Sequence, residues 1–187
     1  NYAKLRVQLY EVDHTNWKDY LEYYRDYNYY GKHTKTPPGK PLSDKIIDVV
    51  GEPDDIIETK IKLAEALGGD GLGNLVIVIE PAEVVDGATM PTYKPKLRAW
   101  VQATQIGLDA FVDKKELIGW ATSLKGGEPM SGVELEIGGG VKGKTNDKGI
   151  SKLALPATQD NEHAYLLAKK DKDVAFLPEQ VWPNYST

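Results

Sequence analysis

Residues 98–178 alternate short apolar runs with turn-forming clusters, and no other feature limits the fold of this chain as tightly. The stretch reads RAWVQATQIGLDAFVDKKELIGWATSLKGGEPMSGVELEI, then KTNDKGISKLAL, then AYLLAKKDKDVAFL. Trp100, Leu117, Val133, Leu135, Ile137, Leu153, Leu155, Leu166 and Val174 fall inside the runs. Asp-Lys, Gly-Gly, Asn-Asp-Lys-Gly and Lys-Asp-Lys clusters separate them. Short β-rich runs at near-regular spacing predict antiparallel strands stacked as a sandwich. Such an array points to a mechanical or adhesive module rather than an enzyme core.

Seven strands are expected after Gly107: 108–112, 116–122, 133–137, 141–145, 150–156, 164–168 and 173–177. Seven make a complete immunoglobulin-like sandwich. The first part of the chain reads differently. Leu5, Val7 and Leu9 alternate with Arg6 and Gln8 as a half-buried strand. Asp13 or Thr15 offers a helix N-cap, and Trp17, Tyr20, Leu21 and Tyr24 follow at helical spacing, with Gly31 as the expected stop. Further strands are expected at 46–50, 57–63, 75–79 (closed by Pro81) and 97–104.

These readings give a mainly all-β chain of two tandem immunoglobulin- or fibronectin-III-like sandwiches. The first, 1–104, carries an inserted helix near 15–30 and lacks its opening strands. The second, 105–187, is complete. The boundary falls near Gln105 without a flexible linker, so the two are expected to abut tightly.

Composition removes several function classes. With no cysteine among 187 residues, the chain can hold no disulfide, thiolate metal site or cysteine nucleophile. A net charge of -5, interspersed along the chain, leaves no electrostatic footprint for nucleic acid. No apolar span is long enough to cross a bilayer as a helix, so no direct membrane contact is expected. The chain starts at Asn1 and reads as a mature or excised piece.

The sharpest motif is misleading. GGGVKGKT at 138–145 fits the phosphate-binding pattern G-x-x-x-x-G-K-T, with a strand expected before it. That chemistry needs a helix whose N-terminal amides hold the phosphates. Here the turn Asn146-Asp147-Lys148-Gly149 and the strand ISKLAL follow, so a glycine-rich hairpin is expected. GGDGLG at 68–73 resembles a calcium-binding repeat, but it occurs once and reads as a tight connection. Trp17, Tyr20, Tyr23, Tyr24, Tyr27, Tyr29 and Tyr30 could line a glycan or peptide groove, whereas an amphipathic helix on a sheet explains them more simply. His14, His33 and His163 lack metal-ligand spacing. Asp109 and Asp113, followed by Lys114 and Lys115, suit a hairpin turn better than an acid/base pair. No catalytic, cofactor-binding or metal-ligating residue is assigned, and no cofactor is implied.

The segments KLRVQLYEVDHTNWKDYL, WVQATQIGLDAFVDKKELIGWATSLKGGEPMSGVELEI, TNDKG and AYLLAKKDKDVAFLP resemble the bacterial α2-macroglobulin family. The likeness is to two consecutive macroglobulin (MG) domains from the N-terminal half of such a protein. It implies an extracytoplasmic, non-catalytic scaffold within a protease-trapping inhibitor. Its partners would be neighbouring MG domains and, through the whole parent protein, target proteases. The family's Cys-Glu-Gln thioester cannot lie in a chain without cysteine. GKHTKTPPGKP at 31–41 is too short and stiff for a protease bait. Burial is expected near Gln105, with Trp100, Phe111 and Trp120 contributing. The alternative reading is a surface adhesin or carbohydrate-binding module.

Overall fold

A computed structural model describes residues 2–26, 35–52, 55–87, 89, 95–138, 140–155 and 165–178. The chain divides into two compact units, Asn1–Ala103 and Thr104–Thr187.

The first unit is built on one antiparallel sheet with strand order β2-β1-β3-β4: β1 (Tyr2–Val12), β2 (Lys40–Asp48), β3 (Gly73–Val84) and β4 (Leu97–Ala103). Alternation sorts its side chains into two clusters. On one face Val12, Val76 and Val78 pack with Tyr10, Trp17, Tyr20, Tyr23 and Trp100. The aromatics there come largely from helix α1 (Trp17–Arg25), which follows a single 3₁₀ turn, His14–Asn16. Asp13 caps that turn, accepting from the Thr15 N–H at 2.8 Å while its own N–H donates to Asn16 Oδ1 at 3.1 Å. Such a reciprocal cap satisfies amides that a helix start leaves unpaired. On the other face Val7, Leu9 and Ile77 pack with Ile47, Ile61, Leu63 and Val101.

Three sequence expectations for this unit are corrected. The run 57–63 is not a strand: it has no ladder partner among the described residues, although Ile61 and Leu63 still lie on the second face. β2 starts at Lys40, before the expected 46–50, because Pro41 is tolerated on an edge strand beside the bulge at Leu9/Tyr10. β3 runs through Pro81, which lies beyond the last β4 pair, Ile79 with Leu97, where no ladder bond from that side is needed. α1 ends at Arg25; Gly31 lies outside the described residues.

The second unit holds seven strands among its described residues: β5 (Ile106–Val112), β6 (Glu116–Ser123), β7 (Glu134–Ile137), β8 (Val141–Lys144), β9 (Ile150–Ala154), β10 (Tyr165–Lys170) and β11 (Asp173–Pro178). They form two sheets, β5-β6-β9 and β11-β10-β7-β8. The fourth strand pairs with the third and not with the fifth, which departs from the constant-type immunoglobulin arrangement and gives a fibronectin-III-like one. Leu117, Ala121 and Leu153 of one sheet meet Leu135, Ile137, Leu166, Ala168 and Ala175 of the other. A fully buried Leu or Ile of this kind stabilises by about 1.5–3 kcal/mol.

The turn Asn146–Gly149 shows why the sequence folds this way locally. Asn146 Oδ1 accepts from the N–H groups of Lys148 (2.9 Å) and Ile150 (3.1 Å). Gly149 has φ of +74°, and its carbonyl accepts from the Ala121 N–H at 2.8 Å. A Cβ at this position would collide with the Ala121 carbonyl, so glycine is required twice over.

Candidate functional site

The phosphate-loop-like run forms the β7–β8 hairpin. Lys144 lies on β8 opposite Glu134 and pairs with it at 3.1 Å; Lys142 pairs with Glu136 at the same distance. Thr145 is buried, donating its hydroxyl to the Met130 carbonyl at 2.6 Å and accepting from the Val133 N–H at 2.9 Å. No helix opens at Lys144, and the hydroxyl that would meet a metal ion closes a loop instead.

The other sequence candidates are local structure as well. Asp113 Oδ1 accepts from the N–H groups of Lys115 (2.7 Å) and Glu116 (2.9 Å), and these bonds hold its carboxyl below the usual carboxylate range. Asp109 Oδ1 accepts from the Ala110 N–H at 2.7 Å. Asp70 Oδ1 accepts from the Leu72 N–H at 3.1 Å, shaping the turn before β3. His14 belongs to the 3₁₀ turn; His33 and His163 lie outside the described residues. Among the described residues no group of three or more His, Asp or Glu is placed to hold a metal ion.

Within the tyrosine stripe, Tyr20 and Tyr23 belong to the core. Tyr20 and Tyr23 are buried, and Trp17, Tyr20 and Trp100 meet with ring centroids 5.4 Å apart. Arg98 lies over the Tyr23 ring at 4.5 Å and donates to the Tyr23 carbonyl at 2.8 Å. Tyr24 is exposed; Tyr27, Tyr29 and Tyr30 lie outside the described residues. At the other end of the same sheet face, Arg6 grips Asp44 at 2.6 and 2.8 Å, and that contact lowers the Asp44 pKa.

What remains is surface. In the second unit the outer face of β5-β6-β9 sets Phe111 beside Ile118 and Trp120 beside Ile150, with Phe111 61% and Trp120 41% exposed. In the first unit a groove of about 440 Å³ lies between β1, β2 and residues 60–66. Sequence reasoning missed this groove because it took 57–63 for a paired strand. Asp173 was missed too: buried at the head of β11, it accepts from Thr104 and Gln105. Gln105 is exposed, and Trp100 belongs to the helix-side cluster of the first unit.

No family model matches the chain. Comparison with solved structures is more informative. A crystal structure of native α2-macroglobulin from Escherichia coli spanning domains NIE-MG1 aligns with a TM-score of 0.63 at 15% identity, covering 95% of this chain and 84% of that one. The fold is that of bacterial α2-macroglobulin segments. A second α2-macroglobulin structure, spanning MG0-NIE-MG1, gives 0.60 at 16% identity over 95% of this chain and 55% of the other. The cryo-EM reconstruction of the native E. coli α2-macroglobulin gives 0.60 at 16% identity, with 11% of that chain covered. The macroglobulin resemblance carried by the sequence therefore holds for the fold. By sequence, the chain is 27% identical over 162 residues to Circularly permutated Ras protein 2 of Dictyostelium discoideum, matching 68% of this chain and 4% of that protein. Among the described residues no helix is long and apolar enough to cross a membrane.

Proposed function

We propose that this chain is a structural scaffold segment of an α2-macroglobulin-like, protease-trapping inhibitor that works outside the cytoplasm. The reading rests on one observation above all. A two-unit chain, with seven strands among the described residues of its second unit, aligns along 95% of its length with a fragment that spans two named domains, NIE and MG1. That alignment supports reading the two units as successive domains of such a parent. The contribution is stiffness and shape: two opposed apolar faces make each unit rigid, and function lies in contacts with further domains of a longer parent. Catalysis is no part of the role.

A nucleotide-binding role is not supported by the run at 138–145, where β8 pairs with β7 and Lys144 pairs with Glu134. The glycan reading has less support, since Tyr20 and Tyr23 are buried against the sheet.

The test uses the parent protein purified from its source and mixed with an endopeptidase. A trap leaves cleavage of a small peptide substrate intact while blocking cleavage of a large protein substrate. Equal loss of both activities, or loss of neither, would contradict the trapping role.

A further inference from the structure

Between β2 and β3 of the first unit, one run is held by its side chains alone. Ile57, Thr59, Ile61 and Leu63 are half-buried, whereas Glu58, Lys60 and Lys62 are exposed and Ile56 is fully so. Among the described residues no backbone hydrogen bond reaches 56–62. The backbone ties lie outside the run. Before it, the Val49 N–H donates to the Ala3 carbonyl at 2.9 Å; after it, the Leu63 carbonyl accepts from the N–H groups of Ala66 and Leu67 at 2.9 and 3.1 Å. In between, Ile57 sits against Gly51, where a Cβ would come within 2.6 Å of Ile57 Cγ1. Ile61 and Leu63 rest on the cluster of Val7, Leu9 and Ile77.

The sheet beneath does not depend on this run. β1 pairs with β2 from Lys4 to Glu11 and with β3 from Tyr2 to Val12, and no bond of either ladder passes through 56–62. The groove of about 440 Å³ lies between β1, β2 and residues 60–66, so the run covers the sheet face incompletely. A segment with few buried contacts and no backbone hydrogen bonds opens at a far lower free energy than the unit it belongs to.

We propose that 56–62 is a strap that opens by itself while β1, β2, β3 and β4 stay paired, and that the opened strap is a cleavage site for a lysine-specific endopeptidase. The two-residue period of the run is that of an extended chain, the form in which a peptide pairs along a binding cleft, and it has no ladder to leave first. Lys60, with its side chain 85% exposed, and Lys62 supply the recognised cation. Water adds across the Lys60–Ile61 or Lys62–Leu63 bond, leaving a new lysine carboxylate and a new N-terminal amine. The nick falls between β2 and β3. A piece ending at Lys60 keeps β1 and β2, the remainder keeps β3 and β4, and the β1–β3 ladder holds the two together. The proposal needs only the first unit and stands apart from the scaffold reading.

The test is limited digestion of the 187-residue chain with a lysine-specific endopeptidase, at urea concentrations below the unfolding transition, with each cut timed by mass spectrometry. The bonds after Lys60 and Lys62 should be cut at least tenfold (on the order of 1.4 kcal/mol) faster than those after Lys45 and Lys152, which lie in ladders opposite Val7 and Ile118. The strap rates should rise only weakly with urea, because opening a short segment exposes little surface. Exchange of the β1 amides in the same urea series supplies the steeper slope of whole-unit unfolding. The cut chain should elute as one species without denaturant and as two pieces with it. The proposal is overturned if the strap bonds follow the steep slope, since opening then requires the unit to unfold. Equal cutting after Lys45 or Lys152 also overturns it. So does separation of the two pieces without denaturant, because the sheet has then not stayed paired.

Discussion

Asp173 binds Thr104 across the second unit. The Thr104 hydroxyl donates to Asp173 Oδ1 at 2.6 Å, and the Gln105 N–H donates to Oδ2 at 2.8 Å. The same hydroxyl accepts from the Ile106 N–H at 3.0 Å, so one buried carboxylate organises the first turn of this unit before β5 begins. Asp173→Ala leaves both donors without their acceptor, at a cost of about 1–3 kcal/mol. The unfolding midpoint of the second unit should drop by roughly 4–8 °C per kcal/mol lost. Calorimetry on the full chain checks this, and Asp173→Asn, which keeps one acceptor oxygen, should fall between.

Gly119 on β6 faces the opposite sheet. A Cβ there would overlap Leu135 Cδ1 and come within 3.3 Å of Leu166 Cδ2. Gly119→Val should cost about 1–3 kcal/mol or more through overpacking. Adding Leu135→Ala should recover part of that loss, which chemical denaturation of the single and double variants would measure.

Tyr23 carries a pH signature. It is 2% exposed and its hydroxyl has no hydrogen-bond partner among the described residues. Burial pushes its pKa up to about 12, and the Arg98 guanidinium over the ring offsets this only partly. The unfolded chain releases this proton near pH 10, so the fold is unaffected below that value. As pH rises from about 10 through about 12, only the unfolded state ionises there, and stability falls by up to about 2–3 kcal/mol. Tyr23→Phe should remove that part of the alkaline loss and be neutral or slightly stabilising at pH 7, since an unpaired buried hydroxyl is deleted. Urea melts of both proteins at pH 7, 10 and 11.5 (values chosen to bracket the ordinary tyrosine range) decide it.

Lys144 separates hairpin from phosphate loop. Its ion pair with Glu134 is largely exposed, with side chains 68% and 62% accessible. Lys144→Ala should therefore change stability by less than about 1 kcal/mol. Neither protein should gain thermal stability from ATP with magnesium. A nucleotide-dependent shift in the parent that Lys144→Ala abolishes would contradict the hairpin reading.

The second unit was legible because its strands are bounded by residues with a single structural meaning. Asn146 and Gly149 define a turn, and the alternation around Leu117, Leu135, Leu153 and Leu166 fixes the inward faces. The first unit was less so. Ile57, Thr59, Ile61 and Leu63 alternate as a strand does, but alternation reports which side of a segment is covered and not whether its backbone is paired. Pro81 was expected to close its strand because the sequence does not show that it sits past the end of β4. The Asp173–Thr104 bond joins residues far apart in sequence and leaves no local pattern at all.

The central claim is that these residues are part of a much larger trap. The most direct test is the intact mass of the native protein from its source, before and after methylamine. The expected result is a parent far heavier than 20.7 kDa, with one methylamine adduct if it carries the family's thioester. A heavy parent without the adduct keeps the scaffold reading in a thioester-free form, to be followed by a search for a single bait cut under limited proteolysis. A stand-alone native product of about this chain's own mass would contradict it.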